Sequence, residues 1–237
     1  MPAIKHKFLI IMCAVVLATA TTYAIALPSQ TACLLLGVYD LQKLSDGSLA
    51  ESESVVDQQR YAQLTRDARL RIETTFGPVE SKPIILFFDH PGGFGPFRLN
   101  AYGSAGHIGS RTCVMVGPKG QNVDVVAHEL MHAEFFHRVG FLKSVQLPIW
   151  FNEGVAMQVD YRPQYSLSPQ DAQNTAYVRD LTSIWAFTKG DDQALMRNYA
   201  SAKHEVASWL SKVGPTSLYS RLQHLRDGQS FVEAITQ

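Results

Sequence analysis

His128-Glu129-Leu130-Met131-His132 sets two imidazoles four positions apart, with a carboxylate next to the first. On an α-helix such positions differ by about 40° around the axis and roughly 6 Å along it, so both rings can close on one metal ion from one face. The residue types suit Zn²⁺, which takes histidine nitrogens at about 2.0–2.1 Å in a tetrahedral shell. Glu129 lies about 100° round from His128 and can reach a water beside the ion without ligating it. A catalytic zinc takes a third protein ligand, for which Glu153 in Trp150-Phe151-Asn152-Glu153-Gly154 is the candidate. The expected centre is one Zn²⁺ per chain on His128, His132 and Glu153, with Glu129 as general base.

Two helices have to position these groups. Twenty residues separate His132 from Glu153, enough for one helix to end, a loop to turn and a second helix to return alongside. Asn122 predicts an N-cap with Asp124 in the first turn, and Gly140 predicts the stop. Pro148 suits the first position of the second helix, and Gly154, lacking a side chain, would let the two helices approach closely. Val123, Val125, Val126, Leu130, Phe135 and Phe136 make the first helix apolar on most sides, so it should be buried. A buried helix can hold one histidine as a satisfied core residue. Two histidines and two glutamates in this arrangement are costly in a core without a cation.

The two motifs together resemble the gluzincin metallopeptidases, specifically the peptidase-MA-like domains related to the aminopeptidase N family. There HExxH is followed, after a spacer of similar length, by W-x-N-E-G-x-A; here those positions are Trp150, Asn152, Glu153, Gly154 and Ala156. The likeness covers roughly residues 55–235, although its specific part is short. It implies the same three ligands and the same base, a zincin-like fold, and a peptide or protein substrate. It also implies that some part of residues 103–116 is the strand bordering the cleft, along which a peptide can add through backbone hydrogen bonds. Tyr199, with Ala202 and Val206, approximates a tyrosine motif of related gluzincins and would donate to the oxyanion of the tetrahedral intermediate. Tyr177, Tyr161, Tyr219 and His204 are the other candidates for that role. The Gly-Ala-Met-Glu-Asn element with which aminopeptidase N-type enzymes hold a free N-terminus is absent, so the activity implied is endopeptidase-like. Glu134 and Asn152 are candidates for orienting the ligand histidines, whereas His137 should point away from the metal and His90 and His107 read as solvated loop or strand residues.

Around the motifs the chain reads as α+β: a small mixed sheet packed on the HExxH helix, a helical C-terminal half, and an N-terminal signal or anchor helix in front. Residues 55–76 predict a helix stopped by Gly77-Pro78, and Ile84–Phe88 and Cys113–Val116 predict strands. Ser168-Pro169-Gln170-Asp171 predicts a capped helix running to about Phe187; further helices are expected over 193–213 and 215–226, and Ser230-Phe231-Val232-Glu233 opens a last short one. Residues 28–54, rich in Ser, Glu and Gly towards their end, read as a linker with little fixed structure. The metallopeptidase domain is then 55–237.

Residues 1–27 read as a targeting segment, with Lys5 and Lys7 followed by an uncharged run from Phe8 to Leu27. Ala24-Ile25-Ala26 would serve as a signal-peptide cleavage site, but the run is also long enough to span a bilayer as an anchor. Either way the body of the chain is expected to be exported, in a periplasmic or other extracytoplasmic compartment. In that setting Cys33 and Cys113 could form a disulfide or simply pack as two small core residues. Lys plus Arg equals Asp plus Glu, at 21 each, so no basic face for nucleic acid is advertised. Two other functions would keep the same residues: a zinc hydrolase of a non-peptide envelope amide, and a tethered binding or assembly protein without turnover.

Overall fold

The computed structural model describes residues 27–144 and 146–236, and all but the last residue of the expected targeting segment 1–27 lies outside them. Its architecture is α+β, with a five-stranded mixed sheet. In chain order come α1 (Pro28–Leu35), β1 (Gln42–Lys43), β2 (Leu49–Ala50), α2 (Val55–Phe76), β3 (Ile84–Phe87), β4 (Gly103–Ile108) and β5 (Arg111–Val116). The helical half holds α3 (Val123–Val139), α4 (Phe141–Ser144), α5 (Ile149–Ala156), α6 (Ile184–Phe187), α7 (Asp192–Val213), α8 (Leu218–Arg226) and α9 (Phe231–Thr236), with 3₁₀ turns between. Strand order is β1-β2-β3-β5-β4. The pairs β2–β3 and β3–β5 are parallel, and β1–β2 and β4–β5 are antiparallel. The hairpin β4–β5 therefore leaves β4 at the sheet edge.

Alternation along β5 sorts the two faces. Val114 and Val116 join the main core with Leu130 and Met131 of α3 and Ile72 and Phe76 of α2. Cys113 and Met115 face the other way, into a smaller core with Phe88, Phe94, Phe97 and Cys33. A Cys33–Cys113 disulfide ties α1 to that second face. Residues 28–54, read from composition as a linker, are thus built into the fold. Ala32, Cys33, Leu36, Leu44 and Ala50 are buried there, although Leu34 and Val38 remain exposed, and β2 extends the sheet against β3.

The capping signals are largely met. Asn122 accepts from the Val125 backbone N–H at 3.0 Å, and α3 stops at Gly140, whose φ of 76° favours glycine. Ser230 and Glu233 form the reciprocal capping box of α9. Pro148 sits one position before its expected place, as the N-cap of α5.

The expected long helix from 168 to 187 is not formed. Ser168 does accept from the Asp171 N–H, but the chain continues as 3₁₀ turns at Asp171–Gln173 and Ala176–Asp180, and only Ile184–Phe187 is α-helical. The reason is the lack of a continuous face to bury: Ile184 and Trp185 are exposed, the latter at 85%. Side chains fix the segment instead, with Thr175 and Arg179 both bonded to the buried Glu205 of α7.

Candidate metal centre

α3 and α5 carry the candidate ligands, and the structure brings all three together. The Nε2 atoms of His128 and His132 stand 3.1 Å apart. Glu153 Oε2 lies 3.3 Å from the first and 3.5 Å from the second. His128, His132 and Glu153 could together hold a metal ion. His128 and Glu153 are buried, and both His128 Nδ1 and Glu153 Oε2 lack a hydrogen-bond partner. A buried carboxylate oxygen without a partner is expensive unless a cation meets it, so the donor set fits a metal.

Each imidazole has a neighbour on its far side. His132 Nδ1 is 3.1 Å from Asn152 Oδ1. Since an amide oxygen only accepts, the ring proton belongs on Nδ1 and the Nε2 lone pair is left for an ion. His128 Nδ1 faces Asp160 Oδ2 at 3.8 Å, and Asp160 is wholly buried. The sequence reading named Asn152 but missed Asp160, seven positions beyond Glu153 on the chain that leaves α5. The other nominated orienting residue, Glu134, serves elsewhere. Its carboxylate accepts from the backbone N–H groups of Glu80 and Ser81 and from Arg138 Nε, fastening α3 to the segment before β3.

Gly154 also acts differently from expectation. A Cβ there would stand 2.5 Å from the Ala202 carbonyl oxygen and 2.6 Å from Val206 Cγ2, so it allows α5 to approach α7 rather than α3. That approach brings α7 residues to the site. The Tyr199 ring lies 6.3 Å from that of His128 and packs on Phe187 and Tyr165. The negative charge of Glu153, followed by burial, holds the Tyr199 hydroxyl well above the usual phenol range, so it stays protonated and can donate. The fallback residues lie elsewhere: Tyr177 bonds Asn198, Tyr161 stacks on Arg71, Tyr219 lies over Arg138, and His204 is exposed. Tyr165, which the sequence reading did not weigh, lines the cleft.

Glu129 is buried beside the ligands, and burial raises its carboxyl pKa, with the two histidines opposing. A Cβ at Gly103 would come 2.8 Å from Glu129 Cγ and 3.0 Å from its Oε1, so β4 passes directly over this side chain. The cleft has a volume of about 580 Å³ and is walled by Gly103, Ser104 and Ala105 of β4 on one side and Tyr165 and Tyr199 on the other. His137 is half exposed near Glu80, away from the ligands. His90 accepts from the Gly92 N–H in an exposed turn, and His107 bonds Thr112 while stacking on Phe136. Neither belongs to the ligand cluster.

Among the described residues no helix is long and apolar enough to cross a membrane. No family model, curated protein or solved structure matches the chain, and the geometry of the centre is what bears on its function.

Proposed function

We propose that the protein is a zinc-dependent metallopeptidase of zincin-like fold that hydrolyses peptide bonds. One observation carries the reading: the three donor atoms are 3.1, 3.3 and 3.5 Å apart. Ligands at about 2.0–2.1 Å from one ion at tetrahedral angles stand roughly 3.3–3.4 Å from each other. Two imidazoles and one carboxylate also leave a fourth position open, as catalytic zinc sites do.

A bound zinc would supply Lewis acidity, activating water and polarising the scissile carbonyl. The chain supplies the rest. Glu129 takes the proton of the attacking water and passes it to the departing amine, a task suited to a carboxylate whose pKa burial has raised. Tyr199 keeps its proton and donates a hydrogen bond to the oxyanion. The edge of β4 runs along the cleft, so an extended substrate can pair with it as a further strand. Asn152 orients the ring of His132 by a hydrogen bond, and the Asp160 carboxylate facing His128 Nδ1 at 3.8 Å favours that ring electrostatically. The disulfide supports the exported reading of the chain.

The test is cleavage of a denatured protein by zinc-loaded wild type and by Glu129→Gln. Glu129-dependent cleavage is expected. Stoichiometric zinc with no such cleavage would favour the tethered binding protein, and cleavage confined to non-peptide amides would favour the envelope hydrolase.

A further inference from the structure

Arg162 is the only lysine or arginine among the described residues lining the cleft that holds His128, Glu129 and Glu153. Its guanidinium is fixed along one edge: Nε donates to both oxygens of Asp160 at 3.0 Å, and Nη2 donates to Oδ2. The ring of Tyr165 lies 4.9 Å from the guanidinium carbon and that of Tyr102 5.8 Å. The side chain is only 17% exposed, and Nη1 has no hydrogen-bond partner among the described residues. Such a clamp presents a preoriented donor with its long-chain entropy already lost.

The other cations nearby are engaged elsewhere. Arg71 pairs with Asp124, and Lys203 Nζ bonds the main-chain oxygen of Asp160 rather than its carboxylate. Arg71, Arg162 and Lys203 stand with Asp124 and Asp160, and Glu129 and Glu153 line the same cleft as Arg162. Arg162 lines the cleft with Nη1 unpaired among the described residues, so an acceptor entering the cleft can take its hydrogen bond. Arginine matches a carboxylate in geometry as well as charge.

We infer that Arg162 binds a carboxylate of the substrate, either the C-terminal α-carboxylate of a peptide or an aspartate or glutamate side chain near the scissile bond. The inference rests on the metallopeptidase reading for the term substrate, while the binding itself can be measured without turnover.

Zinc-loaded Glu129→Gln is titrated by calorimetry with three peptides: N-acetyl-pentaalanine as the free acid, the same peptide as the amide, and N-acetyl-Ala-Ala-Glu-Ala-Ala amide. At least one carboxylate peptide should bind about tenfold or more tighter than the neutral amide, and adding Arg162→Gln should abolish the difference while Arg162→Lys keeps part of it. Preference for the free acid identifies the C-terminus as the ligand, and preference for the glutamyl peptide identifies the side chain. Because Arg162 also holds Asp160, zinc content is measured in each variant, and the comparison is drawn between variants that keep one equivalent. Equal binding of all three peptides, or a preference surviving Arg162→Gln, overturns the inference. Wild-type turnover is scored separately: carboxylate-selective binding without hydrolysis removes the metallopeptidase reading alone, and hydrolysis indifferent to carboxylates removes the Arg162 role alone.

Discussion

His128 and His132 present their Nε2 atoms to each other at 3.1 Å, with Glu153 closing the triangle. In the metal-free protein that proximity has an electrostatic consequence. Burial pulls the pKa of His132 down, but the negative charge of Glu153 outweighs it and lifts the pKa to about 9. Its proton is therefore present at neutral pH and has to leave when a metal takes the Nε2 lone pair. Calorimetry at pH 7 in buffers of different ionisation enthalpy should report release of about one proton per zinc bound, with affinity rising about tenfold per pH unit towards pH 9. The metal-free protein should respond in the opposite sense. A raised histidine pKa stabilises fully below about 6.5, and the contribution is lost as pH rises through about 9. Zinc binding without proton release would contradict this account of His132.

Glu129 is assigned the proton transfers and no share of the ligation. Glu129→Gln should keep one zinc per chain while lowering kcat by about 10² to 10⁴-fold, with little change in KM. Loss of zinc in this variant would make Glu129 a ligand instead.

Asp160 faces the candidate ligands at His128, and it also holds Arg162 at the cleft. Asp160→Asn should weaken zinc binding about 10 to 100-fold, as competition with a chromogenic chelator would show. An equivalent loss in Asn152→Ala would support the same role at His132. Unchanged affinity in both would mean that the rings are held by packing alone.

Gly154 sets the distance between α5 and α7. Gly154→Ala would drive its Cβ against the Ala202 carbonyl and should cost about 1–3 kcal/mol by denaturant unfolding. Because α7 carries Tyr199, the same variant should lose activity out of proportion to any loss of zinc. A neutral effect on stability would show that the helices can slide apart.

The cluster that could hold a metal was legible because it is local: HExxH fixes two groups by helix geometry alone, and Glu153 stands in a motif of its own. Helix limits were legible where one capping side chain decides them, as at Asn122 and Ser230. Asp160 was not, since nothing in its own spacing points to His128; only the turn after α5 brings it there. Gly154 was read as a close-approach residue but matched to the wrong helix, because composition does not say which partner a bare helix face meets. The helix expected over 168–187 followed a sound cap and a Val178–Leu181–Ile184 spacing, yet Ile184 has no core to enter. The stretch 28–54 looked like a linker because its later part is polar, whereas Ala32, Cys33, Leu36, Leu44 and Ala50 enter the two cores and the disulfide holds α1 in place.

The central claim is that His128, His132 and Glu153 share one zinc ion. Zinc K-edge absorption spectroscopy on the zinc-loaded protein, with metal content measured alongside, tests it directly. One equivalent should be bound, with a shell of nitrogen and oxygen at about 2.0–2.1 Å that includes two imidazoles. In His132→Ala the imidazole count should fall to one, or the metal be lost. A substoichiometric metal content, or a shell unchanged by replacing His132 or Glu153, would contradict it.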